Sequence, residues 1–191
     1  MRENFQRFED LDRTEWFVIQ PPRTKNLYEA HFLKETHMAS KTKTSDPEEN
    51  KAIALRLAEV FNGRRLHLLE DVLHPEFRER GLSAFPPAGS EAGPGARRKL
   101  YEMFYQAIPD ARAEVFDVVA EGDKVVILDR FFGTHQGEFF GRPGTGHRIE
   151  WMAIHIYTIR DGKIVEDAVM TDALAIVQQL GLAPSLTKLA G

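Results

Sequence analysis

Between Ile108 and Ala113 the spacing of apolar residues changes from the helical repeat to the extended one, and no other feature constrains the fold as firmly. Upstream, Ile53, Leu57, Val60 and Phe61 recur at the interval of one helical face, as do Leu100, Met103, Phe104, Ala107 and Ile108. Downstream, Ala113 to Ala120, Val125 to Gln136, Arg148 to Arg160 and Ile164 to Met170 read as strands with a repeat of two. Helices first and strands after predict a segregated α+β domain with a largely antiparallel sheet. Such a sheet covers both faces only by curling over the helices. A curled sheet with helices across its concave side leaves a pocket between them.

Local signals set the element ends. Asp46-Pro47-Glu48-Glu49 is a helix start, with Asp as N-cap, Pro at the first helical position and acids in the first turn. Asn62-Gly63 ends that helix. A second short helix carries Leu66, Leu69, Val72 and Leu73 and stops at His74-Pro75, before a short strand from Glu76 to Arg80. Ser83 to Gly95, with three Pro and three Gly, reads as loop, and a third helix follows from Ala96 to Ala107. Glu121-Gly122-Asp123, the segment Gly137 to Gly146, and Asp161-Gly162 separate the strands. A short last helix, Ala173 to Leu180, closes on Gly181 as its C-cap. The domain is expected over 47–183, with a tail at 184–191. Residues 1–46, with Pro21-Pro22 and a possible short strand at Trp16-Phe17-Val18-Ile19, read as an extension that packs on the domain or on a partner, or is partly disordered. Met38 is an alternative start of translation.

Composition removes several function classes. The net charge of −4 gives no general attraction to nucleic acid. Apolar runs reach four or five residues, as in Val125-Val126-Ile127-Leu128, against about 20 needed to span a bilayer. There is no cysteine, hence no disulfide and no thiolate chemistry. The amino end does not read as a secretory signal, and the cytoplasm is the expected compartment. Gly93-Pro94-Gly95-Ala96-Arg97-Arg98 opens a helix but lacks phosphate-loop spacing. The seven His are dispersed, so no metal site is expected, and there is no Gly-x-Ser-x-Gly elbow.

Asp161-Gly162 is the strongest hairpin signal, and it implies a register. Ile159 then faces Ile164, Tyr157 faces Glu166, His155 faces Ala168, Ala153 faces Met170 and Trp151 faces Asp172. Cross-strand partners share a face, so Trp151, Ala153, His155, Tyr157, Ala168, Met170 and Asp172 are expected along one side. That mixture of aromatic, small, imidazole, thioether and carboxylate groups suits a binding cavity. The other side reads as apolar packing interrupted by Asp167. A bulge in either strand would shift the count by one residue.

Three segments carry a family resemblance: Gly93-Pro94-Gly95-Ala96-Arg97-Arg98 to Ile108-Pro109-Asp110; Gly133-Thr134-His135-Gln136-Gly137-Glu138-Phe139-Phe140-Gly141 with Thr145-Gly146; and Asp161-Gly162-Lys163-Ile164-Val165-Glu166 to Asp172 with Gln179-Leu180-Gly181. Over residues 47 to 183 the chain resembles the SnoaL-like polyketide cyclases, or ester cyclases, of the nuclear transport factor 2-like superfamily. The resemblance implies a cone-shaped α+β fold, a curved antiparallel sheet over three N-terminal helices. It further implies a homodimer or homotetramer, no cofactor, and intramolecular aldol ring closure of a polyketide ester. It puts Asp172 at the position of the family's acid/base aspartate. Many relatives carry a His-Pro-acid-Phe-x-x-His pattern; in His74-Pro75-Glu76-Phe77-Arg78-Glu79-Arg80 the last place is Arg80, a fixed cation that can hold an enolate but not act as a base.

Each candidate has a plain structural role beside its chemical one. Asp172 is a general acid/base, or the N-cap of the last helix. His155 donates to a substrate carbonyl, or is a satisfied core residue. Arg130 is an oxyanion partner, or a surface ion pair, since Asp129 and Arg130 point to opposite faces. His135 is at the pocket edge, or in a turn. Trp151, Met170, Ala153, Tyr157 and Phe104 are cavity walls, or core. The expected function is a cofactor-free cyclase, or related lyase or isomerase, acting on a small apolar carbonyl compound. The expected partners are a small hydrophobic molecule and a further copy of the chain. The alternatives are a non-catalytic binding or assembly module, or an epoxide hydrolase or dehydratase-like enzyme, which needs a water held by several polar groups, such as an Asp–Arg–Asp set that the sequence does not assemble.

Overall fold

The computed structural model describes residues 46–81 and 92–184. The expectations for the amino-terminal extension, including the Trp16–Ile19 strand, and for most of the Ser83–Gly95 loop lie outside these residues. Helix α1, Pro47–Asn62, starts as its sequence dictates. The Asp46 carboxylate accepts from the Glu48 N–H at 3.0 Å, and Pro47 takes the first helical position, where no N–H is needed. Its inner stripe is Asn50, Ala54, Leu57, Val60 and Phe61. A 3₁₀ turn, Leu66–Leu68, leads to the single-turn helix α2, Leu69–Val72.

Strand β1, Leu73–Gly81, includes the His74-Pro75 pair that the sequence suggested would precede it. It lies at the edge of the sheet, where a proline without an N–H is tolerated. Helix α3, Pro94–Ala107, follows Gly93, whose φ of 92° favours glycine; a Cβ there would meet the Pro75 carbonyl at 2.9 Å. Strands β2 (Arg112–Glu121), β3 (Lys124–Thr134), β4 (Arg148–Arg160) and β5 (Lys163–Thr171) form a meander, and helix α4, Ala173–Gln179, closes the domain. The sheet order is β1-β5-β4-β3-β2, antiparallel except for the parallel β1–β5 pair. The mixed α+β architecture and curved sheet agree with expectation.

The core fills the space between the sheet's inner face and the helices, from Leu57, Phe61, Leu69 and Phe77 to Ile127, Ile149, Ile164 and Ile176. Phe131 stacks on Trp151 at 5.6 Å, and Phe104 on Trp151 at 5.8 Å, while Phe61 meets Tyr101 edge-on at 4.8 Å. Such pairs add about 0.5–1.5 kcal/mol each beyond their burial. The outer face keeps Val119, Val126, Ile154, Ile156 and Met170 exposed. No helix among the described residues is long and apolar enough to cross a membrane.

Candidate active site

The geometry of the site follows from one extra residue in β5. Arg160 pairs with Lys163 and Ile159 with Ile164, as the Asp161-Gly162 turn demands, but Thr158 pairs with Glu166. Val165 is therefore a bulge. Beyond it every partner is displaced by one: Tyr157 faces Asp167, His155 faces Val169 and Ala153 faces Thr171. A one-residue displacement sends each β5 side chain to the opposite face. Asp167, expected to interrupt the outer face, points inward and is fully buried, whereas Met170 points outward and is 49% exposed.

Five charged or polarisable groups meet below the sheet. The Asp167 carboxylate sits 2.9 and 3.1 Å from Nδ1 of His155. From helix α3 the Arg97 guanidinium reaches Asp167 at 2.5 Å and Glu79 of β1 at 3.0 Å. On the far side of the ring, Nε2 of His155 lies 3.8 Å from the Asp129 carboxylate of β3. Asp129 Oδ1 is buried and has no hydrogen-bond partner among the described residues. His155 also stacks on Tyr157 at 5.4 Å.

Electrostatics divides these groups. Burial pushes the Asp129 carboxyl up to about 6; the nearby imidazole opposes this and Asp167 adds to it. Burial works against a charged His155, but Asp167, by charge and hydrogen bond, and then Asp129 outweigh it, so the ring holds its proton above the usual range. Burial likewise works against Asp167, yet His155 and Arg97 keep it below the usual carboxylate range. Burial raises the Tyr101 and Tyr157 hydroxyls, which stay neutral.

Asp129, His155, Tyr101 and Tyr157 line a small hollow of about 10 Å³, room for about one water molecule, walled by Ala54, Leu57, Ala58 and Phe61 of α1 together with Ala113, Ile127 and Phe131. Its lining, apolar with a few convergent polar groups, has the chemistry usual for a small-molecule site, although the hollow itself is far smaller than a ligand pocket. Among the described residues no group of three or more His, Cys, Asp and Glu is arranged to hold a metal ion.

The sequence-derived candidates separate clearly. His155 and Tyr157 line the hollow. Ala153, Trp151 and Phe104 are buried core residues beside it. Asp172 is exposed and accepts from the Ala175 N–H at 2.9 Å as N-cap of α4; it does not reach the hollow, because the bulge moves the β4–β5 register past it. Arg130 is corrected to the outer face, where it pairs with Glu114 and Glu150 and lies over Phe116 and Phe132; its neighbour Asp129 takes the inward position. Met170 is outside for the reason given above. Arg80 is exposed and pairs with Glu166 at 3.0 Å, since the side chain next to inward Glu79 must point away. His135 is fully buried but binds Thr145 at 3.1 Å and does not line the hollow. Asp129, Asp167, Arg97 and Glu79 were not anticipated as site residues. The available signals were a carboxylate inside the apolar run of β5 and an arginine one helical turn before Tyr101.

Residues 51–180, from the first turns of α1 to the end of α4, match the family described as SnoaL-like polyketide cyclase. Aklanonic acid methyl ester cyclase DnrD of Streptomyces peucetius is 29% identical over 128 residues, which are 66% of this chain and 86% of that one. Aklanonic acid methyl ester cyclase DauD of Streptomyces sp. strain C5 is 30% identical over 128 residues, 66% of this chain and 78% of that one. Among solved structures, AclR of Streptomyces galilaeus, whose proposed activity is hydroxylation, superposes with a TM-score of 0.66 at 28% identity, covering 76% of this chain and 93% of the other. TsrD of Streptomyces laurentii gives 0.65 at 27% identity, with 73% and 99% covered. The match runs through both walls of the hollow, helices and sheet alike, and on that basis the chain belongs to the SnoaL-like polyketide cyclase family.

Proposed function

We propose that the chain catalyses an intramolecular aldol-type ring closure of a small apolar carbonyl compound, with no cofactor, Asp129 acting as base and His155 as acid. The observation that carries this reading is the Asp129 oxygen on the wall of the hollow, buried without a hydrogen-bond partner among the described residues and 3.8 Å from Nε2 of His155. A carboxylate poised near 6 is charged at neutral pH and a stronger base than an exposed one. It takes a proton from carbon next to a carbonyl. The enolate carbon attacks a second carbonyl of the same molecule, and the resulting alkoxide takes a proton from Nε2 of His155. Asp129 then returns its proton to the ring. One C–H bond is broken, one C–C and one O–H bond are formed, and the composition of the substrate is unchanged.

The apolar walls favour a hydrophobic substrate, and the neutral tyrosines add hydrogen bonds without charge. A hydrolase or dehydratase of the Asp–Arg–Asp kind needs water held between an arginine and two carboxylates. Arg97 instead contacts Asp167 and Glu79 and stands behind the ring. The reading also includes a second copy of the chain as partner, covering the apolar outer face of the sheet, since soluble monomers rarely leave such a patch open.

Aklanonic acid methyl ester, for which the two curated relatives are named, is the first probe. Cyclisation by the wild-type chain and a fall in kcat of about 10²–10⁴-fold in Asp129→Asn are expected. Wild-type turnover by that variant removes Asp129 from the chemistry.

A further inference from the structure

The Asp129–His155 reading above leaves three charges without a part, the buried Asp167 and Arg97 and the half-buried Glu79, and these form a line running from the ring to the edge strand. We infer that Arg97, held in place by Glu79, is a positioning residue: it fixes the Asp167 carboxylate against Nδ1 of His155 and thereby decides which ring nitrogen faces the hollow. This rests on the acid/base assignment for its catalytic meaning, but not for its geometry.

Glu79 and Asp167 are direct partners across the parallel β1–β5 pair. A buried carboxylate and a largely covered one that close repel, and one would take up a proton. Arg97 prevents this by standing between them, 3.0 Å from Glu79 and 2.5 Å from Asp167, with its guanidinium over the rings of Phe77 at 5.3 Å and Tyr101 at 5.5 Å. Its side chain is 3% exposed. A buried ionic cluster like this is a poor source of stability, because desolvation offsets most of the attraction. What it provides is an acceptor of fixed charge and fixed direction. Both Asp167 oxygens lie within hydrogen-bond reach of Nδ1, so that nitrogen keeps its proton in both charge states of the ring, and Nε2, facing Asp129, is the one that gains and loses a proton.

The charged and titratable groups around the ring are Asp167 from β5, Asp129 from β3, Arg97 and Tyr101 from α3, and Tyr157 from β4. Helix α1 contributes only apolar wall there. Glu79 acts from beyond Arg97 and is the main charge sustaining its ionised state against burial.

The test uses the full-length chain labelled with ¹⁵N and follows the His155 ring nitrogens by NMR across pH, the His155→Gln variant identifying its signals. The wild-type ring is expected to show one neutral tautomer, protonated on Nδ1. Arg97→Met is expected to replace it with a mixture of both tautomers, and Arg97→Lys to restore the single form. A folded Arg97→Met chain that keeps the single Nδ1 tautomer overturns the proposal. Should Arg97→Met not fold, Glu79→Gln decides. With Arg97 no longer held by that charge, both ring tautomers of His155 are expected to appear, and a folded Glu79→Gln chain that keeps the single Nδ1 tautomer overturns the proposal. Neither readout depends on turnover, so a failure here is distinct from active Asp129→Asn, which would overturn the acid/base reading instead.

Discussion

The carboxylate of Asp167 lies 2.9 Å from Nδ1 of His155, although the hairpin joining their strands would put the two side chains on opposite faces if pairing ran without a break. Val165 is the break. The extra residue brings Asp167 inward, and with it a negative charge that raises the pH at which the buried imidazole gives up its proton. Asp129, brought inward by the unbroken β3–β4 pairing, lies on the other side of the same ring. The bulge thus sets the charge behind the acid of the proposed reaction, while the base owes its place to unbroken pairing.

Asp172 provides the sharpest contrast with this arrangement. It caps α4 from an exposed position. Asp172→Asn is expected to leave stability and turnover close to wild type, since Asn caps as well as Asp, and Asp172→Ala to cost about 0.5–2 kcal/mol of stability while sparing kcat. Urea denaturation and probe turnover on the two variants check this. A large loss of kcat in Asp172→Asn would return the residue to the chemistry.

Stability should depend on pH through Asp129 with a definite sign. Its carboxyl is pushed up to about 6 in the folded chain, against an ordinary value near 4. Between those values the folded state holds more protons than the unfolded one, so this group's contribution is complete at low pH and is lost as pH rises through 6. His155, also raised, loses its contribution at still higher pH, whereas that of Asp167 is lost only as pH falls below the ordinary carboxylate range. Asp129→Asn removes the first of these slopes. Relative to wild type it should gain on the order of 1–3 kcal/mol between pH 4 and 7, measured by denaturation at both. In the wild-type chain kcat/KM should rise as Asp129 ionises near 6.

Much of the fold was legible because its signals are local. The change of period at Pro109-Asp110, the Asp46-Pro47 start and the Asp161-Gly162 turn each depend on a few neighbouring residues, and the structure follows them closely. The site was legible only in part. His155 and Tyr157 stand out as polar groups in an apolar strand. The bulge does not, because Val165 is as apolar and β-branched as Ile164 beside it, and alternation alone cannot tell which of the two is extra. Asp129 and Arg130 carry the same ambiguity in another form: alternation says that one faces inward, and only the surrounding charges decide which. Arg97 looks like a surface residue in Arg97-Arg98 until its place four residues before Tyr101 is recognised as the inner stripe of α3.

The hollow owes its space to small side chains on α1 and β2. Ala54 and Ala58 are one helical turn apart and face Ala113 across the chamber. Ala58→Leu should fill part of it without disturbing the charged line behind the ring. KM for the probe ester is expected to rise several-fold, while the His155 titration and the unfolding midpoint stay near wild type. An unchanged KM would mean that substrate does not enter between α1 and the sheet.

The outer face gives a prediction independent of the chemistry. The register sets Val126 opposite Ile156 and Ile154 opposite Met170, so four exposed apolar side chains form a continuous patch across three strands. A second copy of the chain presents the same patch, and two-fold pairing satisfies both at once. Ile154→Glu puts a charge at its centre, far too costly to bury without a partner. Sedimentation or light scattering should find the wild-type chain associated and Ile154→Glu monomeric, with the far-ultraviolet spectrum unchanged because the residue points away from the core. A wild-type chain that stays monomeric at high concentration would leave the patch without its proposed occupant. Because His155 and Asp129 lie on the inner face, the monomeric variant should still show the wild-type His155 titration, which separates assembly from the proton chemistry.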